Sequence, residues 1–276
     1  MRRDGYWVEV ISTGDEILFG RIVDTNSAWI ARRAAELGVW LRRVTSVGDD
    51  LGEISGVLRE ALRRGPDLVL FTGGLGPSED DLTVEAIGLA LGRDVVLDQG
   101  AVERIRRRYE ERGIHDTVRG ERMARVVDGS RALENPVGMA TGMELVEGGS
   151  TIMTFPGVPS EMKAMFDAYA APLIEGRTSS RFAANTVVAR VVFRDFFPVY
   201  RRMQVDYPDV YIKNAATPPE SPEERMRVKD ITVDVVAEGG SREESAGILG
   251  EVLAEFDRRL GEVGGRLILD AKVQRS

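Results

Sequence analysis

The stretch Leu68-Val69-Leu70-Phe71-Thr72-Gly73-Gly74-Leu75-Gly76-Pro77-Ser78-Glu79-Asp80-Asp81-Leu82-Thr83 constrains this chain more than any other. An apolar run feeds a glycine-rich turn, two adjacent carboxylates follow, and a helical pattern begins after Asp81. Strand, glycine turn and helix start make the layout of a phosphate site. Glycines let backbone N–H groups come close to an anion, and a helix N-terminus adds partial positive charge. Asp80 and Asp81 repel a phosphate directly and suit the place when a divalent cation stands between them and it. The plainer reading is structural. Ser78 with Asp81 three residues on fits a capping box, and Gly73-Gly74 is then only a tight turn.

Val8 to Ser12 reads as a buried first strand, ending in Ser12-Thr13-Gly14-Asp15-Glu16. Asp24-Thr25-Asn26 offers caps for a helix with Ile30, Ala34 and Leu37 on one face, stopped by Gly38. Val39 to Val47 is a second strand. Gly48-Asp49-Asp50 opens a helix whose buried stripe is Leu51, Ile54, Leu58, Ala61 and Leu62, and the strand into the glycine turn comes next. Such β-α-β-α-β order predicts a three-layer, doubly wound, mostly parallel sheet, with ligands beyond the carboxyl ends of its strands. Thr13-Gly14-Asp15-Glu16 and the Gly73 to Asp81 turn both fall at that edge.

What the chain lacks narrows the chemistry. It has no cysteine and one histidine, His115, in a polar stretch. That leaves no thiolate, no zinc–cysteine site and no multi-histidine metal site. Carboxylates, backbone amides and a hard, oxygen-liking cation, Mg²⁺ or similar, remain to do the work. The net charge of −8 speaks against a nucleic-acid partner. No apolar run approaches the ~18–20 residues that span a bilayer, and no apolar signal region follows Met1 to Gly5. A cytoplasmic protein without a membrane partner is expected.

Further along, Val95 to Leu97 reads as a short strand, and Gln99 to Arg112 and Val118 to Val127 as surface helices. Gly142 to Val146 and Thr151 to Phe155 form a hairpin about Gly148-Gly149. Pro156-Gly157-Val158-Pro159 turns into a helix with Pro159 at its first position, bringing Pro156 and Gly157 to the same edge. Trp7, Trp29 and Trp40 read as packing residues. A boundary near Glu175 to Ser180 divides domain 1–175 from a smaller α+β domain, 176–276. There Thr186 to Phe193, Val210 to Lys213 and Ile231 to Ala237 are strands, and Ser241 to Gly261 is an amphipathic helix. Pro218 to Glu224 is a loop by composition.

The motifs Thr13-Gly14-Asp15-Glu16, Asp24-Thr25-Asn26, Gly48-Asp49-Asp50, Thr72 to Pro77, Asp80 to Thr83 and Pro156 to Pro159 together resemble the MoaB/Mog-type molybdopterin-binding fold. They resemble more closely the N-terminal domain of the competence/damage-inducible protein CinA, in a stand-alone form without the deamidase domain. The match spans roughly residues 7–174. Tyr207 to Lys213 is similar to the KH-like second domain of that family. Two departures stand out. Relatives carry Thr at Ser78, and Gly-Thr-Ala-Pro-Gly where this chain reads Gly138-Met139-Ala140-Thr141-Gly142, so that a hydroxyl near the site is lost or moved.

The resemblance implies one of two activities. The first is metal-dependent hydrolysis of ADP-ribose-like pyrophosphates, the leading expectation. The second is the molybdopterin or nucleotide binding of Mog-type relatives, with adenylyl transfer or without turnover. In either case Gly73, Gly74 and Gly76 are expected to give N–H groups to phosphates. Thr13, Gly14, Ser78, Thr83, Asn26, Pro156 and Gly157 would line the nucleotide site. Asp81, with Asp80, is the expected metal ligand and catalytic group, and Asp15 and Glu16 are further metal ligands or the base, against a plainer role capping turn amides. Asp49, Asp50 and Asn26 read more simply as helix caps. The partners expected are a small nucleotide and copies of the same chain, a dimer before a trimer. Given the chain's overall acidity, the C-terminal domain is not expected to bind RNA, nor to carry the Gly-x-x-Gly loop with which a KH module clamps it.

Overall fold

The computed structural model describes residues 6–113, 118–178 and 181–269. His115 lies outside the described residues. The chain divides into two compact units, one of residues 6–35 and 39–177, the other holding residues 36–38 and the described residues from 178 onward.

The first unit is built on a six-stranded sheet. Its strands are β1 (Val8–Thr13), β2 (Leu41–Val47), β3 (Leu68–Thr72), β6 (Arg131–Leu133), β7 (Gly142–Glu147) and β8 (Ser150–Phe155), in the order β2-β1-β3-β8-β7-β6. The first four of that order run parallel. The hairpin expected at Gly148-Gly149 then reverses the chain, and β7 and β6 continue antiparallel. All five residues of β3 are buried, as a central strand covered on both faces requires. Val69 and Phe71 pack with Ile54 and Leu58 of helix α3 (Leu51–Arg64) and Val84 and Ile87 of α4 (Thr83–Leu91). Ile30 and Ala34 of α2 (Thr25–Glu36) are fully buried, and Trp29 meets Phe166 edge-on at 5.5 Å. Phe166 also lies edge-on to Phe155 of β8. The three-layer, doubly wound reading is therefore correct.

Three local expectations change. Residues 118–127 are not one helix. A single turn, α6 (Val118–Glu121), and a 3₁₀ turn, Arg122–Ala124, precede strand β5 (Arg125–Val127), which pairs antiparallel with β4 (Val95–Leu97). The branched Val126 and Val127 favour a strand, and the otherwise lone β4 supplies its partner. Helix α4 starts at Thr83, and no side chain caps it. Asp81 makes one half of the expected capping box, its Oδ2 accepting from the Ser78 N–H at 2.8 Å, but the helix does not begin there. Of the paired aspartates before α3, Asp50 alone is the cap, accepting from the Glu53 N–H at 2.9 Å.

The second unit is an antiparallel sheet of order β10-β11-β9-β12. Its elements run β9 (Arg181–Val192), α9 (Phe193–Asp206), β10 (Tyr211–Asn214), β11 (Val228–Gly239), α10 (Arg242–Glu262) and β12 (Arg266–Leu269). Alternate residues of β9 and β11 face one core, Val187, Ala189 and Val191 with Ile231, Val233 and Val235. Phe196, Val252, Phe256 and Leu260 complete it. Ser241 caps α10 by accepting from the Glu244 N–H. The sequence reading missed α9, whose spacing Phe193, Phe196, Tyr200, Met203 is helical but interrupted by Pro198. It also missed two Gly-x-x-Gly spacings. Gly247 to Gly250 lies inside α10, where its amides serve the helix, and Gly261 to Gly264 lies at the helix's C-terminal end, where carbonyls repel phosphate.

Glu9 of β1 is 1% exposed and receives both arms of Arg64, Nε at 2.9 Å and Nη2 at 2.6 Å, from the last turn of α3. Arg64→Met leaves that carboxylate buried without its cation and is expected to cost about 3 kcal/mol. The measurement is the guanidinium unfolding midpoint, and an unchanged midpoint would show that Glu9 gains nothing from Arg64. The full chain is also expected to bind single-stranded RNA no better than a non-specific polyanion at physiological salt. Sub-micromolar, salt-sensitive RNA binding would contradict this.

Candidate functional site

Parallel register sets the site. Ser12 of β1 pairs with Thr72 of β3, and Thr72 pairs with Phe155 of β8, so the residues after them leave the sheet together. A buried hydrogen-bond network ties these three exits. Asn26 of α2 donates from Nδ2 to Thr72 Oγ1 at 2.9 Å and to the Gly157 carbonyl at 2.8 Å. Thr72 Oγ1 donates to the Pro156 carbonyl at 3.1 Å. On the other side of β3, Thr83 Oγ1 donates to the Gly73 carbonyl at 2.8 Å and lies 3.2 Å from Thr13 Oγ1. Thr13, Thr72 and Thr83 are all buried.

Asn26 is therefore no helix cap. Asp24 is, accepting from the Ser27 N–H at 2.9 Å and from its hydroxyl. Asn26, Thr13 and Thr83 hold the turn, and Thr72, which the sequence reading did not single out, joins them. Its signal was a hydroxyl at the last position of an apolar strand.

The turn itself admits only glycine at Gly73 and Gly74, with φ of 108° and 65°. A Cβ on Gly73 would run into the Thr13 carbonyl, and one on Gly74 into Thr83 Oγ1. The N–H groups divide into two sets. Gly14 donates to the Val47 carbonyl and Gly73 to the Phe155 carbonyl. Ser78 donates to Asp81. Those of Gly74, Leu75 and Gly76 make no hydrogen bond among the described residues. Of the glycines expected to meet a phosphate, Gly74 and Gly76 thus keep a donor and Gly73 does not.

The turn lines a cleft of about 650 Å³. Thr13, Gly14, Glu16, Asp49, Ser78, Asp80, Asp81, Pro156 and Gly157 share it, and Tyr109, Arg112, Met123, Val137, Gly138, Met139, Ala140, Val158 and Glu161 complete it. One part is glycine turn and carboxylates, and another is largely apolar. Asn26 and Thr83 stand behind the lining.

Asp49 and Asp15 exchange bonds. Asp49 Oδ2 accepts from the Asp15 N–H at 3.0 Å, and Asp15 Oδ1 accepts from the Asp49 N–H at 3.1 Å. Asp15 is thus a turn-amide acceptor, the plainer of its two expected roles. Burial pushes the Asp49 carboxyl above the usual range, the Asp15 N–H opposes this, and the charges of Asp15, Glu16 and Asp80 push it further up. Among the described residues no three carboxylates or histidines converge closely enough to hold an ion by themselves. A divalent cation at this rim would need phosphate oxygens of a ligand to complete its shell, which is how Mg²⁺ is usually held. The hard oxygen donors of Asp80 and Asp81 fit that arrangement.

The departure at residues 138–142 places the Met139 side chain, rather than a hydroxyl, in the cleft lining. Gly142 is required by packing, since a Cβ there would strike the Thr154 carbonyl.

Comparison with known proteins agrees with this architecture. A protein of Aeropyrum pernix is 35% identical over 260 residues, covering 94% of this chain and 95% of its own length. One of Sulfolobus acidocaldarius is 33% identical over 264 residues, covering 96% and 98%. The crystal structure of the protein CinA, of unknown function, from Thermoplasma acidophilum is 39% identical, with a TM-score of 0.56, and covers 61% of this chain and 98% of its own. Residues 9–176 match the family model described as a probable molybdopterin binding domain. With a MoaB/Mog-like sheet and a CinA-like N-terminal unit, the chain belongs to the probable molybdopterin binding domain family.

Proposed function

We propose that the cleft binds a phosphorylated heterocycle of the pterin or nucleotide type, with its phosphate on the Gly74 to Gly76 turn. The observation that carries this is three unbonded N–H groups in a rigid turn, lining a cleft that also has an apolar part at Met123, Val137, Met139, Ala140 and Val158. Apolar contact with a few placed polar groups is what a flat, phosphate-bearing ligand needs. Family membership favours a pterin phosphate, as in the second of the two expected activities. Arg112 adds one cation to the lining. The leading expectation from the sequence, hydrolysis of ADP-ribose-like pyrophosphates, becomes the second reading. The acidic rim of Glu16, Asp49, Asp80 and Asp81 favours it.

In that second reading a bound Mg²⁺ would polarise the phosphoryl oxygens and acidify a water. Asp80 and Asp81 would hold it, Gly74 and Gly76 would hold the phosphates, and Glu16 would accept a proton from the water. In both readings the buried threonines keep the turn from yielding as the ligand enters, so its donors are paid for before binding.

Calorimetric titration with molybdopterin and with ADP-ribose, each with and without Mg²⁺, tests the proposal, and product analysis of the same mixtures separates binding from turnover. Micromolar binding of molybdopterin supports it, and release of AMP and ribose 5-phosphate from ADP-ribose would establish the second reading. Binding of neither would refute both. Asp81→Asn keeps an oxygen for the Ser78 N–H, so the turn should persist, while the Mg²⁺-dependent part of the affinity falls at least about tenfold. An unchanged Mg²⁺ dependence would assign Asp81 to the turn alone.

Asp49 supplies a prediction about pH. Its folded pKa is raised, so the folded state holds that proton more tightly than the unfolded chain does. Ionising it therefore costs stability as pH rises above the unfolded value of about 3.9. Asp49→Asn is expected to raise the thermal midpoint at pH 7 and to lose that advantage as pH falls below 4. A variant less stable than the parent at pH 7 would show that the bond with Asp15 outweighs the charge.

A further inference from the structure

The cleft contains one carboxylate that the acidic rim does not account for. Glu161 lies in the first turn of helix α7 (Pro159–Met165) and lines the cleft with Tyr109, Val137 and Met139. It has no ion-pair partner among the described residues. Its position is nevertheless tightly set. Asn135, 3% exposed, donates from Nδ2 to Glu161 Oε2 at 2.6 Å. Asn135 Oδ1 accepts from the N–H groups of Val137 and Gly138, at 3.1 and 2.7 Å, which fixes the amide's orientation. Gly138 lies so close against the Glu161 carboxyl that a Cβ there would overlap it. A turn of four residues thus clamps one carboxylate oxygen and leaves Oε1, with the second lone pair of Oε2, available.

We infer that Glu161 reads the amidine edge of the bound heterocycle, a ring N–H beside an exocyclic amino group on the neighbouring carbon, as guanine and pterins carry. The inference rests on the proposed reading of the cleft as a heterocycle-phosphate site and names which heterocycle it selects. A carboxylate offers two parallel acceptors, and the amidine edge offers two parallel donors. Adenine presents a ring nitrogen lone pair beside its amino group, so one of the carboxylate's oxygens would face an acceptor. Where the bound ring covers Glu161 against Val137 and Met139, that mismatch sets acceptor against acceptor and leaves both without a donor. The clamp from Asn135 matters for the same reason, since a free glutamate would swing away from the wrong ring at little cost.

GMP and AMP make a matched pair of probes, sharing the ribose and phosphate and differing in the edge. Titration of the full chain should show GMP binding tighter than AMP by about tenfold or more. Glu161→Gln keeps an oxygen for Asn135 and the shape of the turn, but puts a donor where an acceptor is needed. It should weaken GMP alone and bring the ratio near one. If Glu161 only braces the 135–138 turn, the variant will weaken both nucleotides together, and the inference falls. It falls also if the parent binds both equally or prefers AMP, while the phosphate site stands. If neither nucleotide binds, nor ribose 5-phosphate, the site reading fails and the inference with it. Asn135→Ala is the second variant, expected to lower the GMP preference while leaving ribose 5-phosphate affinity unchanged.

Discussion

Everything at the sheet's carboxyl edge depends on one buried set of hydroxyl and amide bonds. Three parallel strands end side by side, and their exits would otherwise leave several polar backbone groups unpaired in a dry interior. Asn26, Thr72, Thr83 and Thr13 answer those groups from four different elements. Each of them satisfies a neighbour's carbonyl or hydroxyl, so none can be removed without orphaning another. Rigidity follows from that mutual dependence, and the exposed donors of the glycine turn inherit it.

The architecture was legible in the chain because its signals were local and repeated. Apolar runs such as Leu68 to Phe71, a double-glycine turn at Gly148-Gly149 and proline before α7 each fix one element without help from the rest. Where the reading failed, the deciding partner was remote in sequence. Strand β5 exists because β4 lies beside it, and α9 is helical through a proline because its aromatic face has a core to enter. The same division holds at the site. The glycine turn and its carboxylates announced themselves, whereas the role of Asn26 required Thr72 and Gly157, 46 and 131 residues away. Asn135 and Glu161, 26 residues apart, carried no pattern that a scan along the chain would join.

The cleft places its charges against its own comfort. Partial burial disfavours the Asp49 charge, and the charges of Asp15, Glu16 and Asp80 add to that cost. A fold selected for stability alone would disperse them. Their gathering beside unbonded backbone donors is an arrangement that a cation shared with a bound phosphate would relieve.

In the order β2-β1-β3-β8-β7-β6 the outer strands β2 and β6 have no further strand partner among the described residues. At one edge, β2 carries Arg42 and Arg43 in an exposed run, with Arg42 held over the Trp7 ring at 4.6 Å. At the other, β6 is only three residues long, and its Arg131 is paired with Glu144. A passing strand finds guanidinium groups at the first and too short a ladder at the second. Fibril-like growth by strand addition is thereby discouraged at both ends of this sheet.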